Sequence, residues 1–341
     1  MALGNYRSIV LLLILFGLVI LTLMFSLGVG SVALPPERVW AALFNPLTVS
    51  NQTDVTIVWD LRLPRVLLAA LIGAGLAVAG AALQGLFRNP LADPFAVGAS
   101  GGAALGATIA ITAGLQLSGA GFDPVPLAAF VGSLVAVGLV YGVAEIGGTA
   151  SPIALLLAGA ALSTILFAAV SLLMIVSDRG LHVTFSWLLG GLSGRGWPQL
   201  RASGPYLLVS LACLWLLARP LDALASGEEM AQSLGLSLPH ARGAVIATAS
   251  LCTAAAVAAG GIIGFVGLIA PHAARLLVGP GHARIIPASA LLGALLMLLA
   301  DDVARTILSP VEIPVGIVTA LLGGPFFLFL LKTRQRELGG G

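Results

Sequence analysis

The chain has 341 residues, of which 59% are hydrophobic and only 9% charged, with a formal net charge of +2. A soluble domain carries about 25% charged residues, so this balance excludes one and specifies an integral membrane protein. Of its 16 basic residues only Lys332 is a lysine, which leaves no basic tract for nucleic acid.

The N-terminal apolar run, Ile9 to Val29, is too long for a signal-peptide core and is expected to remain as an anchor, with Arg7 on the cytoplasmic side. A bilayer crossing needs roughly 20 apolar residues. Candidate spans fall near 9–29, 66–86, 95–115, 126–144, 153–176, 203–218, 243–259, 261–271, 287–302 and 313–331. The eighth is short, and Gly260-Gly261 and Pro271 predict a broken helix there, tolerated where neighbouring protein satisfies the backbone. Ten spans starting inside would return the C-terminus inside, where Lys332, Arg334 and Arg336 agree with the basic bias of cytoplasmic segments.

Arg62-Leu63-Pro64-Arg65 opens the second span on the outer face. Its guanidiniums would share one side of the first helical turn at (i, i+3), as interfacial anchors or as forks for a partner's carboxylates. Leu86 to Pro94 is a polar turn around Asn89-Pro90. Ala79-Gly80 through Asn89-Pro90 and Ala259-Gly260 through Ala270-Pro271 hint at an inverted repeat, with the copies starting on opposite faces. Cys213 and Cys252 sit inside apolar runs and read as core filler. Span five, Ile153 to Val176, has only Ser163, Thr164 and Ser171 as polar points.

Arg219 to Arg242 is the long polar interruption of the chain. Gly227 precedes Glu228-Glu229, which suit the first turn of a short helix, and Gly235-Leu236 is its expected stop. Ser237 and Pro239 would begin a second short helix that runs to Arg242, making the loop a docking handle. His182, His240, His272 and His282 fall at span ends or in loops, where solvated histidines are expected. Near the end, Arg305 can pair with Asp301 or Asp302, and Glu312-Ile313-Pro314 opens the last span. Carboxylates at membrane depth give a competing reading, proton coupling. A phosphate-binding lysine loop is absent from the chain, as are the metalloprotease and hydrolase signatures.

R-L-P-R from Arg62, A-G-A-A-L-Q-G-L-F-R-N-P-L-A-D-P (Ala79 to Pro94) and G-F-V-G-L-I-A-P-H-A-A-R (Gly264 to Arg275) together resemble a known family. So do L-L-A-D-D-V-A-R (Leu298 to Arg305) and E-I-P-V-G-I-V-T-A-L-L-G-G-P-F-F (Glu312 to Phe327). The family is that of the permeases that import ferric siderophores, haem and cobalamin, and the match runs in order from about Leu61 to the end. The resemblance implies an all-α type II ATP-binding-cassette importer permease of the bacterial inner membrane. It would be a single transmembrane domain, 1–341, with both termini cytoplasmic. Two copies would form a pathway lined by spans five and ten.

Arg62, Arg65 and Arg305 would then meet glutamates of a periplasmic binding protein. Asn89 would sit at one cytoplasmic gate and Thr149 and Ser151 at another. Gly227, Glu228, Glu229, Gly235, Leu236 and Arg242 would belong to the coupling helices that enter two separate ATPase subunits. This chain would bind no cofactor and would not be an enzyme, ATP being used by the partner. Ferric siderophore ranks first as cargo, haem second and cobalamin third. The competing readings are a secondary transporter coupled to protons through Asp301, Asp302 and Glu312, and a passive scaffold.

Overall fold

The computed structural model describes residues 2–30, 32–46, 51–115, 123–146, 151–177 and 180–339. Its elements, in chain order, are α1 (Ala2–Gly28), α2 (Pro36–Phe44), α3 (Gln52–Thr56), a π-helical turn (Ile57–Arg62) and α4 (Leu63–Leu86). A 3-10 turn (Pro94–Val97) leads into α5 (Ala99–Thr112), followed by α6 (Pro124–Glu145), α7 (Pro152–Val176) and α8 (Leu181–Leu188). Next come α9 (Trp197–Leu216), α10 (Ala218–Ser226) and α11 (Glu228–Ser233). The chain closes with α12 (Leu238–Gly260), α13 (Val266–Val278), α14 (His282–Thr306) and α15 (Val315–Gly339).

Six stretches are long and apolar enough to cross a bilayer: those of α1, α4 with its lead-in, α6, α7, α12 and α14. The bent pair α9–α10 adds a seventh, and α5, α13 and Val315–Leu330 are shorter apolar helices. These are the ten segments read from hydropathy. The eighth is displaced: residues 261–265 form the break, and the helix runs from Val266 to Val278 with Pro271 inside it. Gly261 and Phe265 turn the chain there with positive φ. The two stretches read as a repeat differ locally, since Ala79 to Leu86 continues one helix whereas Ala259 to Phe265 interrupts two.

Helix α4 is the hub. Its apolar window is 83% buried, against 17% for α7, and α1, α9, α10, α12, α13 and α14 all pack on it. Lipid removes the hydrophobic drive between helices, so close backbone approach must hold them. Gly73 and Gly293 supply it between α4 and α14, where a Cβ on either would collide with the other's carbonyl oxygen. Gly80 does the same against Gly267 of α13. Cys252, fully buried, places its Sγ 3.4 Å from the carbonyl of Gly75, and both cysteines are free thiols in helices.

Antiparallel alternation gives the bundle two ends. One gathers the end of α1 and the starts of α4, α9 and α15; there the Trp197 indole donates to the Trp59 carbonyl at 2.9 Å. The other gathers α10, α11 and the starts of α12 and α14. Gly293→Ala should separate α4 from α14 and lower stability by about 1–3 kcal/mol, the cost of overpacking. Gly17→Ala, where a Cβ meets nothing within 4 Å, should be neutral or gain up to about 1 kcal/mol from helix propensity. Thermal unfolding of both variants in detergent checks the contrast; equal melting temperatures would remove the glycine contact as the α4–α14 clamp.

Candidate functional site

At the first end, five charged side chains form one network. Arg65 extends from α4 with its Nη2 2.9 Å from Asp301 Oδ1 and its Nη1 2.9 Å from Glu312 Oε2. Arg305 reaches Asp301 at 3.2 Å and also pairs with Asp302. Asp302 accepts a further hydrogen bond, 2.6 Å, from Ser26 of α1. Arg305 Nη1 donates to the Val29 carbonyl at 3.0 Å. Asp301 therefore bridges two arginines, and both (i, i+3) and (i, i+4) pairings of Arg305 form.

Arg62 goes elsewhere. It closes the π-helical turn, and its guanidinium donates to the Leu27 carbonyl at 2.7 Å and to the Val32 carbonyl. The expected alignment of Arg62 and Arg65 on one helical face is corrected by that turn, because the extra residue per turn breaks the (i, i+3) register. Arg62 and Arg305 are both buried and occupied within the chain. Only the Arg65–Glu312 pair reaches the surface, with side chains 11% and 32% exposed. Beside them, Arg38 holds the buried Asp54 at 2.5 Å, a tie between α2 and α3 that hydropathy could not reveal.

The second end carries the short helices. Chain direction bends by 53° between α9 and α10, and Gly227, at φ +120°, turns α10 into α11. Glu228 and Glu229 occupy the first turn of α11 as read from sequence. Gly235 stops it: its N–H bonds to the Gln232 carbonyl at 2.8 Å and that of Leu236 to Ala231 at 3.0 Å, with Gly235 at positive φ. The second short helix is a correction. Ser237 and Pro239 begin α12, a 23-residue span, and the partner of α11 is α10. The Ser237 hydroxyl pairs with His240 Nδ1 at 2.7 Å and leaves the helix amides uncapped by its side chain.

Glu228 joins three elements. Its carboxylate lies 2.5 Å from Arg242 of α12 and 3.6 Å from Arg88, which follows α4 in a left-handed backbone conformation. Arg88, Ser226, Gly227, Glu228, Glu229 and Met230 line an open groove of 640 Å³. In the adjoining turn, Asn89 Oδ1 accepts from Leu91 N at 3.0 Å and Asp93 Oδ1 from Phe95 N at 2.8 Å. Burial pushes the Asp93 carboxyl up to about 6. Ser151 caps α7 through the amide of Ala154, while Thr149 lies outside the described residues.

His282 departs from its expected solvated place: it is 3% exposed and holds Asp222 of α10. Its position at the start of a span concealed this, because the partner lies 60 residues away. His182 and His240 are exposed as read, and His272 packs its ring on Phe326 at 5.7 Å.

Residues 18–333 match the model of the FecCD transport family. The chain is 46% identical to the cobalamin import system permease protein BtuC of Halobacterium salinarum, over 83% of this chain and 75% of that one. It is 38% identical to the Fe(3+)-citrate import system permease protein YfmE of Bacillus subtilis, over 97% of each. Identity to the hemin transport system permease protein HmuU of Yersinia pestis is also 38%, over 99% of each. A solved inward-facing structure, described as of the metal-chelate ABC transporter type, superposes with a TM-score of 0.83 at 34% identity, covering 95% of this chain and 99% of that one. An all-helical, multi-pass membrane protein with these motifs in this order belongs to the FecCD transport family.

Proposed function

We propose that the chain is the permease subunit of an ATP-binding-cassette importer, moving a metal chelate inward by alternating access across the bacterial inner membrane. The observation that carries this reading is the exposed α10–α11 pair in a family member without a nucleotide-binding motif. Met230 of α11 and Leu234 just after it point apolar side chains outward, 53% and 68% exposed, beside the acidic Glu228–Glu229 turn. Such a projection suits a cleft in a separate ATPase. The short-helix end is then cytoplasmic, as are both termini, and the arginine end is periplasmic.

A second copy of the chain would cover the apolar face left open on α7 and α15. Ile153, Leu157, Ile175, Leu321 and Phe329 all lie exposed there. Asn89 and Ser151, with Thr149, would stand at the cytoplasmic mouth of the resulting pathway. The lining offers no ionised group along α7 to hold cargo tightly. Cobalamin joins ferric siderophores at the head of the cargo order, since the 46%-identical relative carries cobalamin in its name; haem follows.

The reading coupled to protons loses its free carboxylates: Asp301, Asp302 and Glu312 are each engaged by an arginine. Docking of a binding protein falls on the same rim. Arg62 and Arg305 shape that rim from below, and Arg65 is the guanidinium a partner's carboxylate can reach by displacing Glu312. Substituting Glu at Arg65 would set a third carboxylate beside buried Asp301, a fault in assembly that would obscure docking.

Two outcomes follow. Liposomes holding the chain, its ATPase and its binding protein should accumulate one of ferrichrome, haemin or cyanocobalamin only with ATP on the ATPase side. Accumulation without the ATPase would overturn the importer reading. Glu312→Gln should release one side of Arg65 and tighten binding of the binding protein by about two- to fivefold, the range of a partly exposed ion pair. Surface plasmon resonance on nanodisc-embedded complex measures this, and an unchanged or weaker affinity would take Arg65 out of docking.

A further inference from the structure

One polar contact at the short-helix end, buried on its His282 side and half-exposed on its Asp222 side, lies outside both the ion network and the groove. His282 opens α14, and its Nδ1 lies 2.6 Å from Asp222 Oδ1 on α10. The same oxygen accepts the backbone N–H of His282 at 2.8 Å. A single carboxylate thus holds the ring and satisfies one of the orphan amides of α14, where negative charge is favoured. The other ring nitrogen, Nε2, is buried with no hydrogen-bond partner among the described residues. It rests against Gly85 near the end of α4, where a Cβ would collide with it. The geometry fixes the tautomer: Nδ1–H donates to Asp222, because a proton on Nε2 would be buried with no acceptor. From α9, Trp215 Nε1 adds a 3.3 Å bond to the carbonyl of Ala283.

We propose that Asp222 and His282 are positioning residues for energy coupling, forming the strut through which a displacement of α10–α11 reaches α14 and α4. The proposal rests on the reading of α10–α11 as the ATPase contact. Helix α10 does not continue α9, because of the 53° bend, so axial movement of α9 is a poor route. The rest of its buried face is Ala218, Leu221 and Leu224, and apolar contact is non-directional and can slide. The Asp222 contact is directional: two donors from one residue converge on one oxygen. Gly85 completes it by letting the ring wedge between α10 and α4. A displaced α10 must therefore carry the start of α14 with it, and α14 is clamped to α4 along its length through Gly73 and Gly293.

The test uses the assembled complex of permease, ATPase subunits and binding protein in nanodiscs. Hydrolysis is measured with and without the binding protein, and ATPase subunits retained on the permease are counted. Asp222→Ala and Gly85→Ala, which attack the strut from opposite sides, should keep the ATPase subunits and the unstimulated hydrolysis but lose the stimulation by the binding protein. His282→Asn, which keeps an N–H donor near the position of Nδ1, should retain most of it. A disulfide across Asp222→Cys/His282→Cys should preserve stimulation, because the strut moves as one body. Full stimulation in Asp222→Ala would overturn the proposal, as would hydrolysis, subunit retention and stimulation all falling together. Cross-linking from Met230→Cys in the otherwise native chain separates the two readings. Absence of any cross-link to the ATPase would sink the α11 contact itself, whereas a cross-link with undisturbed coupling in Asp222→Ala would sink only the strut.

Discussion

Backbone approach between α4 and α14 is the constraint on which the rest depends. Within lipid, apolar side chains gain little by leaving one apolar surface for another, so dispersion contacts and polar ties must hold helices together. Gly73 meets Gly293 midway along the pair, where neither helix can accept a side chain. The remaining ties then fall at the two ends of the same pair. Arg65 of α4 meets Asp301 of α14 at one end, and His282 of α14 rests on Gly85 of α4 at the other. The result is a two-helix rod with a charged head and a foot at which the His282 ring is hydrogen-bonded to Asp222 of α10.

The head is balanced in charge, with three guanidiniums against three carboxylates, and most of it is dry. Burying such groups costs several kcal/mol per ion, which mutual attraction offsets only with good geometry and filled hydrogen-bonding sites. Carbonyls of Leu27 and Val32 accept from Arg62, and that of Val29 accepts from Arg305. Specificity of placement is the stronger consequence: α1, α4, α14 and the start of α15 are brought to one register there. The partly exposed Arg65–Glu312 edge is the one portion that water or a partner can enter.

Much of this was legible in the sequence because its physics is local. Span positions follow from apolar length, the stop of α11 from Gly235, and the Arg305 pairings from helical spacing. What was not legible depends on residues distant in sequence or on backbone departures. The separate destinations of Arg62 and Arg65 follow from a π-helical turn that no residue type announces. The second short helix lay before Gly227, not after it, because Ser237 and Pro239 cap a long helix as readily as a short one. His282 looked solvated because its partner, Asp222, belongs to another helix.

The distribution of packing also limits where movement can occur. The α4–α14 rod is joined at its centre by backbone contact, at its head by the Arg65–Asp301 ion pair and at its foot by the fit of the His282 ring against Gly85, so bending it would disturb all three together. Helices α7 and α15 have few such ties: only 17% of the α7 span is buried, and α15 packs mainly on α13 and α14 among the described residues. Phe265, at φ +68° in the break before α13, presses its ring on Gly323 of α15 without a polar bond between them. Apolar contacts of that kind permit sliding at small cost, whereas the charged head and the Asp222 foot do not. A motion delivered to α10 would therefore pass along the rod as a body and appear as changed packing where the bundle is loosest, on the faces of α7 and α15 that line the proposed pathway.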